Sequence, residues 1–312
     1  MMKNEINEFV IKSSIDRAQL VCYDFAPQTN KPKIIVQLCH GMMEHALRYS
    51  ELAQFLSNKD IKVVGMDNRG HGKTGVKTGV LGHIDDQDGA RKLINDMHDL
   101  YQFWHNKYPE AKYVIFGHSM GSIILRNYLI LYSKSLSAAI ISGTSGFAGL
   151  KEKLGLYIAQ KFVQNEGANS YNRFINNLAS KNVNKRVKNP QTKFDWLTSD
   201  QSEIDKFMND DLCGFLCTNS FYVDLARLAI NMGNKKYKAL LNKDLKMFFI
   251  AGEDDPIGKY GKGVIKSAKY YKSAKLKHVE VKIYKKMRHE IHNEINKNIV
   301  FKDLKTYLES LI

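Results

Sequence analysis

Along this chain, short β-branched or apolar runs alternate with longer stretches whose apolar positions recur every three or four residues. The short runs, at 9–15, 20–25, 33–39, 62–66, 113–116, 138–141, 247–250 and 279–283, read as eight strands. The longer ones, at 49–58, 89–107, 122–132, 261–271 and 293–311, read as helices. Such alternation predicts an α/β fold, a mostly parallel sheet with helices on both faces. Between the first two runs lie only Asp16, Arg17, Ala18 and Gln19. That leaves no room for a crossover helix, so the two should pair antiparallel at a sheet edge.

The interval between the sixth and seventh strands is far longer than a crossover needs. It carries Leu154, Ile158 and Phe162, then Phe221, Leu225 and Leu228, at helical spacing, with Asn189-Pro190 breaking the pattern midway. The expected organisation is therefore a core of residues 1–144 and 246–312 with a helical cap at 145–245. Within the cap Phe147, Phe215 and Phe221 read as packing residues before ligand contacts.

Composition narrows the class. With 44% hydrophobic and 25% charged residues, and no apolar run near the roughly 20 residues that span a bilayer, the chain reads as soluble. No apolar stretch of signal-peptide length follows Lys3, so a cytoplasmic location is expected. The four cysteines fit a reducing compartment: Cys22 and Cys39 fall in strand-like runs, and Cys213 and Cys217 sit at the spacing of one helical turn. Net charge is +15, divided as +3 over 1–144, +5 over 145–245 and +7 over 246–312. Lysines spread in this way describe a solvated surface with weak peripheral attraction to anionic membrane lipid, and argue against a nucleic-acid partner. The oligomeric state is left open.

The chemistry centres on Gly117-His118-Ser119-Met120-Gly121, which directly follows one predicted strand and directly precedes a predicted helix. A sharp strand-to-helix turn brings neighbouring chain close, so the positions two before and two after the serine must lack side chains, and the turn lifts the Ser119 hydroxyl above the sheet. A serine needs a base to take its proton and a carboxylate to orient that base. Asp255, in Glu253-Asp254-Asp255-Pro256, and His289, in Arg288-His289-Glu290, both follow predicted strands, in the order serine, acid, histidine. Asp254 fits the acid's role one residue earlier, a shift too small for sequence to resolve. A tetrahedral oxyanion needs two backbone N–H donors. Met120 offers one, and Gly41 lets the loop His40-Gly41-Met42-Met43-Glu44-His45 turn so that Met42 offers the other. His40 is expected to brace that loop.

Together, His40-Gly41, Glu44-His45, Arg48-Tyr49, Asp67-Asn68-Arg69-Gly70-His71-Gly72, the Ser119 pentapeptide, Asp255-Pro256 and Arg288-His289-Glu290 resemble the monoacylglycerol lipase and lysophospholipase branch of the α/β-hydrolases, from about Ile34 to the end of the chain. The resemblance implies hydrolysis of carboxylic esters of single-chain lipids beneath a helical cap. Carried over motif by motif, it makes Ser119 the nucleophile, Asp255 the acid, His289 the base, and Met42 and Met120 the oxyanion donors. The substrate is then a small acyl ester. The competing readings are a thioesterase, amidase or small-ester esterase with the same triad, and a non-catalytic ligand-binding member of the fold.

Other motifs weaken on counting. Gly72-Lys73-Thr74 lacks a Walker glycine, since Asp67 stands in its place, and His289-Glu290-Ile291-His292 misses the zinc-helix spacing by one residue. Asp67, Arg69 and His71 read as ties within the turn after the fourth strand. Acyl transfer to water needs no cofactor or catalytic metal.

Overall fold

A computed structural model of the chain describes residues 6–26 and 28–312; the expectation about the first five residues lies outside that range. All eight predicted strands form: β1 (Asn7–Lys12), β2 (Gln19–Asp24), β3 (Ile34–Cys39), β4 (Ile61–Met66), β5 (Lys112–His118), β6 (Ala138–Ser142), β7 (Lys246–Gly252) and β8 (His278–Tyr284). They make one sheet in the order β1-β2-β4-β3-β5-β6-β7-β8. β1 pairs antiparallel with β2 as expected; β2 is also antiparallel to β4, and every later pairing is parallel.

Strands β3, β4 and β6 are buried at every position, which explains runs that are apolar apart from Gln37, Lys62 and Ser142. Ile35, Tyr113 and Ile115 face one core, and Val36, Leu38, Val114 and Phe116 the other. The first core is covered by α3 (Gly89–Lys107), α4 (Met120–Tyr132) and α9 (Lys262–Ser273), through Leu93, Met97, Ile124, Tyr128 and Val264. The second is closed by α1 (Ser50–Leu56) and α10 (Lys297–Glu309), through Leu52, Leu56, Phe301 and Leu304. Each such side chain, fully buried, contributes about 1.5–3 kcal/mol.

Two helical expectations shift. α10 starts at Lys297, after a short 3-10 turn at Ile291–Asn293. α2 (Gly72–Thr78) has no counterpart in the sequence reading. Its Gly75 hides the helical signal, and that glycine is required because a Cβ there would lie 2.7 Å from the Gly70 carbonyl carbon. Asp67, Arg69 and His71 do tie this turn: Asp67 accepts from Tyr23, Ala46 and Lys73, Arg69 pairs with Asp96 and Asp16, and the His71 ring bonds the Arg69 carbonyl.

Between β6 and β7 the chain forms α5 (Leu150–Glu166), α6 (Arg173–Ala179), α7 (Gln201–Met208) and α8 (Asn219–Asn231), with turns from Ser180 to Ser199 around Asn189-Pro190. Phe221 is fully buried, whereas Leu154 is 58% exposed. Cys213 and Cys217 lie in irregular chain and not on a helix, because Gly214 with φ +66° interrupts it.

Candidate active site

Parallel strands β3 and β5 are neighbours, with Cys39 opposite Gly117. The chain leaves them toward opposite sides of the sheet, and such a switch point opens a crevice at the strands' carboxyl ends. His40 and Gly41 therefore emerge beside His118 and Ser119. Ser119 sits at φ 51°, ψ −117°, immediately before α4. A positive φ at a residue with a side chain costs about 1–3 kcal/mol and persists only where surrounding structure enforces it. Here Ser119 N–H bonds the Ser142 carbonyl at 3.0 Å, and a Cβ on Gly117 or Gly121 would come within 2.6 Å of Gly121 O or 2.1 Å of Cys39 O.

His289 Nδ1 meets Asp255 Oδ1 at 2.9 Å, and both residues are buried. Asp255 Oδ1 also accepts the Ile257 N–H at 2.8 Å. Asp254 instead gives its own N–H to the Met287 carbonyl. Burial by itself would depress the His289 imidazole, but Asp255, reinforced by Glu290 and Glu44, outweighs it and holds the ring above its ordinary 6.5. With Nδ1 engaged, Nε2 is the nitrogen left to take a proton. Ser119 and His289 line the same cavity, with Gly41 and Met42. Among the described residues no hydrogen bond joins the serine hydroxyl to the ring, a contact that in unliganded sites often tightens only with substrate.

Gly41 lies against the serine: a Cβ there would sit 3.2 Å from Ser119 Cβ and 2.6 Å from Glu44 Oε1. Among the described residues neither Met42 nor Met120 N–H has an acceptor, so two donors stand free beside Ser119. His40 accepts the Asn68 N–H on Nε2, which puts its proton on Nδ1, bonded to Gly41 O at 2.8 Å. Burial keeps His40 and His118 well below the usual imidazole range, hence neutral. His118 bonds Ser142 and lies 4.6 Å, ring to ring, from His289.

An ion network supports both loops. Glu44 accepts the Gly41 N–H at 2.5 Å, Tyr49 Oη at 2.9 Å and Arg48 at 2.7 Å. Arg48 reaches on to Glu290, the residue after His289. Glu290 is buried, yet Arg48 overrides that burial and holds its carboxyl below the usual carboxylate range.

The family described as Serine aminopeptidase, S33, matches residues 30–296. The chain belongs to this α/β-hydrolase family. A monoacylglycerol lipase of Mycolicibacterium smegmatis is 32% identical over 123 residues, 39% of this chain and 42% of that protein, so the match spans less than half of that relative. A monoglyceride lipase homolog of Monkeypox virus is 24% identical over 95% of this chain and 96% of its own. Among solved structures, a thermostable carboxyl esterase from Bacillus coagulans, in complex with glycerol, superposes with a TM-score of 0.89 at 26% identity, over 98% of both chains.

Of the expected site residues of this hydrolase, Gly41, Met42, His118, Ser119 and His289 line one crevice, with Asp255 rather than Asp254 against the histidine. The segment 194–199 escaped the sequence reading. Trp196 O accepts the His289 N–H, Leu197 O the Glu290 N–H, and the Arg288 guanidinium bonds the Asp195 and Thr198 carbonyls. Backbone contacts of this kind leave no residue-type signal. The Ser119 cavity opens beside a larger one of about 510 Å³, the two sharing Met42, Met43, Ala179, Ser180, Val183, Phe194 and Trp196. Phe215, expected to be packing, does pack against the first core and also lines the larger cavity.

Proposed function

We propose that this α/β-hydrolase cleaves carboxylic esters of single-chain lipids through an acyl-enzyme. The observation that carries the reading is that Ser119, held in its strained turn, His289, backed by Asp255, and Met42 line one cavity, with the Met42 and Met120 N–H groups free of acceptors among the described residues. His289 Nε2 takes the Ser119 proton as Oγ attacks the ester carbonyl, while Asp255 fixes the tautomer and stabilises the imidazolium. The oxyanion is held by the Met42 and Met120 N–H groups, each such donor being worth about 10²–10³ in rate. Collapse expels the alcohol, protonated by His289, and water repeats the sequence on the acyl-enzyme.

The lipid substrate is supported by relatives that are monoglyceride lipases and lysophospholipases, and by the cavity of about 510 Å³ under residues 145–245, which we read as the cap. Pockets of about 300–1,000 Å³ suit one small ligand. Four free cysteines suit a reducing compartment such as the cytoplasm. Among the described residues no helix is long and apolar enough to cross a membrane, and Leu150 and Phe174, 85% and 61% exposed on α5 and α6, suit peripheral contact with lipid.

Fluorophosphonate labelling tests the mechanism: Ser119→Ala should abolish the adduct and lower turnover by several orders of magnitude. A chain-length series tests the substrate. Each methylene buried contributes at most about 0.8 kcal/mol, so kcat/KM should climb from acetyl to at least octanoyl monoesters, with monoacyl substrates ahead of triacyl ones. A profile peaking at acetyl would leave the mechanism standing and remove the lipid.

A further inference from the structure

On the side of the oxyanion loop away from Ser119, His45, Asp210 and Cys213 each direct a donor atom into one small volume, all within 4.8 Å of one another. None of the three lines the Ser119 cavity. Their backbones are held independently of any ligand. Asp210 uses Oδ1 to accept the Leu212 N–H at 2.9 Å, which leaves Oδ2 directed at His45 Nε2, 2.8 Å away. Cys213 gives its N–H to the Asp210 carbonyl, and the adjoining Gly214 N–H bonds Met43 O at 2.9 Å, so the segment is docked on the loop that carries Met42. His45 is buried, its Nδ1 has no partner, and the Cys213 thiol is free.

We propose that His45, Asp210 and Cys213 form a binding site for one divalent ion of the zinc class, stapling residues 210–213 to the oxyanion loop. One imidazole, one carboxylate and one thiolate are the donors that zinc accepts, with water as fourth ligand. Bond lengths of about 2.0–2.3 Å put tetrahedral donors roughly 3.3–3.8 Å apart, so the set closes by about 1 Å at its widest, within the reach of a side-chain rotation. The ion replaces the His45–Asp210 hydrogen bond, and the thiol proton leaves to solvent. Entry is open: His45 and Asp210 line a surface cavity of about 640 Å³. Of the charged groups on its walls, Arg48 is paired to Glu44 and Glu290, and Glu51 and Glu203 to Lys297 and Lys206, which leaves Asp210 and Asp211 as the acidic groups facing an incoming cation.

The test uses metal alone on the purified chain. Cobalt should bind one per chain with a near-ultraviolet thiolate charge-transfer band that zinc abolishes, and zinc should raise Tm. Cys213→Ser should remove the band and the Tm rise. Asp210→Asn, nearly isosteric, should keep the band while weakening zinc about tenfold or more. No band from wild-type protein at stoichiometric cobalt, or zinc affinity unchanged in both variants, overturns the site.

Discussion

Arg48 and Glu290 lie 242 positions apart in the chain and meet as a bidentate ion pair, Nη1 to Oε1 and Nη2 to Oε2, both at 2.7 Å. Through Glu44 the same guanidinium holds Gly41, so one buried cation bridges the loop of residues 40–45, proposed to hold the oxyanion, and the histidine loop.

Arg48→Met strands Glu44 and Glu290 as uncompensated buried carboxylates. Stability measured by urea unfolding should fall by about 3–5 kcal/mol, and Arg48→Lys should recover only part of it, lacking the planar fork. A loss below about 1 kcal/mol would mean that water reaches the pair and that the network is incidental.

The two adjacent aspartates should separate sharply. Asp255→Asn should lower kcat by ~10⁴-fold by leaving His289 in the wrong tautomer, and Asp254→Asn should stay within about tenfold of wild type. Steady-state kinetics with a soluble monoester decides it, and the opposite ranking moves the acid to Asp254.

His289, as the proposed base, must be neutral to accept the serine proton, and Asp255 holds the protonated ring more firmly than water does, raising its pKa above 6.5. Activity is therefore suppressed below that raised value and appears as pH climbs through it. The acid limb of kcat/KM should lie above 6.5 in wild type and move downward in Asp255→Asn, measured on its residual activity. An acid limb below 6.5 in wild type would contradict the pairing.

Gly41→Ala would drive a Cβ to 2.6 Å from Glu44 Oε1 and 3.2 Å from Ser119 Cβ. The oxyanion loop has to move to admit it. kcat should drop by about 10²-fold or more with KM changed far less, since the oxyanion exists only on the reaction path. A compensating rise in KM with kcat preserved would place Gly41 in substrate binding instead.

The sequence by itself determined the eight strands, the edge hairpin and the helical nature of residues 145–245, because hydrophobic periodicity is a local property. It also singled out Ser119, His289, Met42 and Met120 as candidates, since an elbow or a loop after a strand announces itself in glycines and neighbours. Short α2 stayed hidden because Gly75 answers a contact with Gly70 and not its own helix. Tertiary structure alone set Asp255 and not Asp254 against His289, because adjacent side chains leave a loop in different directions and only the fold supplies the position of His289. It alone joined Arg48 to Glu290 and laid the 194–199 backbone along the histidine loop. Those contacts link residues far apart in the chain through charge geometry or main-chain atoms, and neither periodicity nor residue type records which distant partner will arrive.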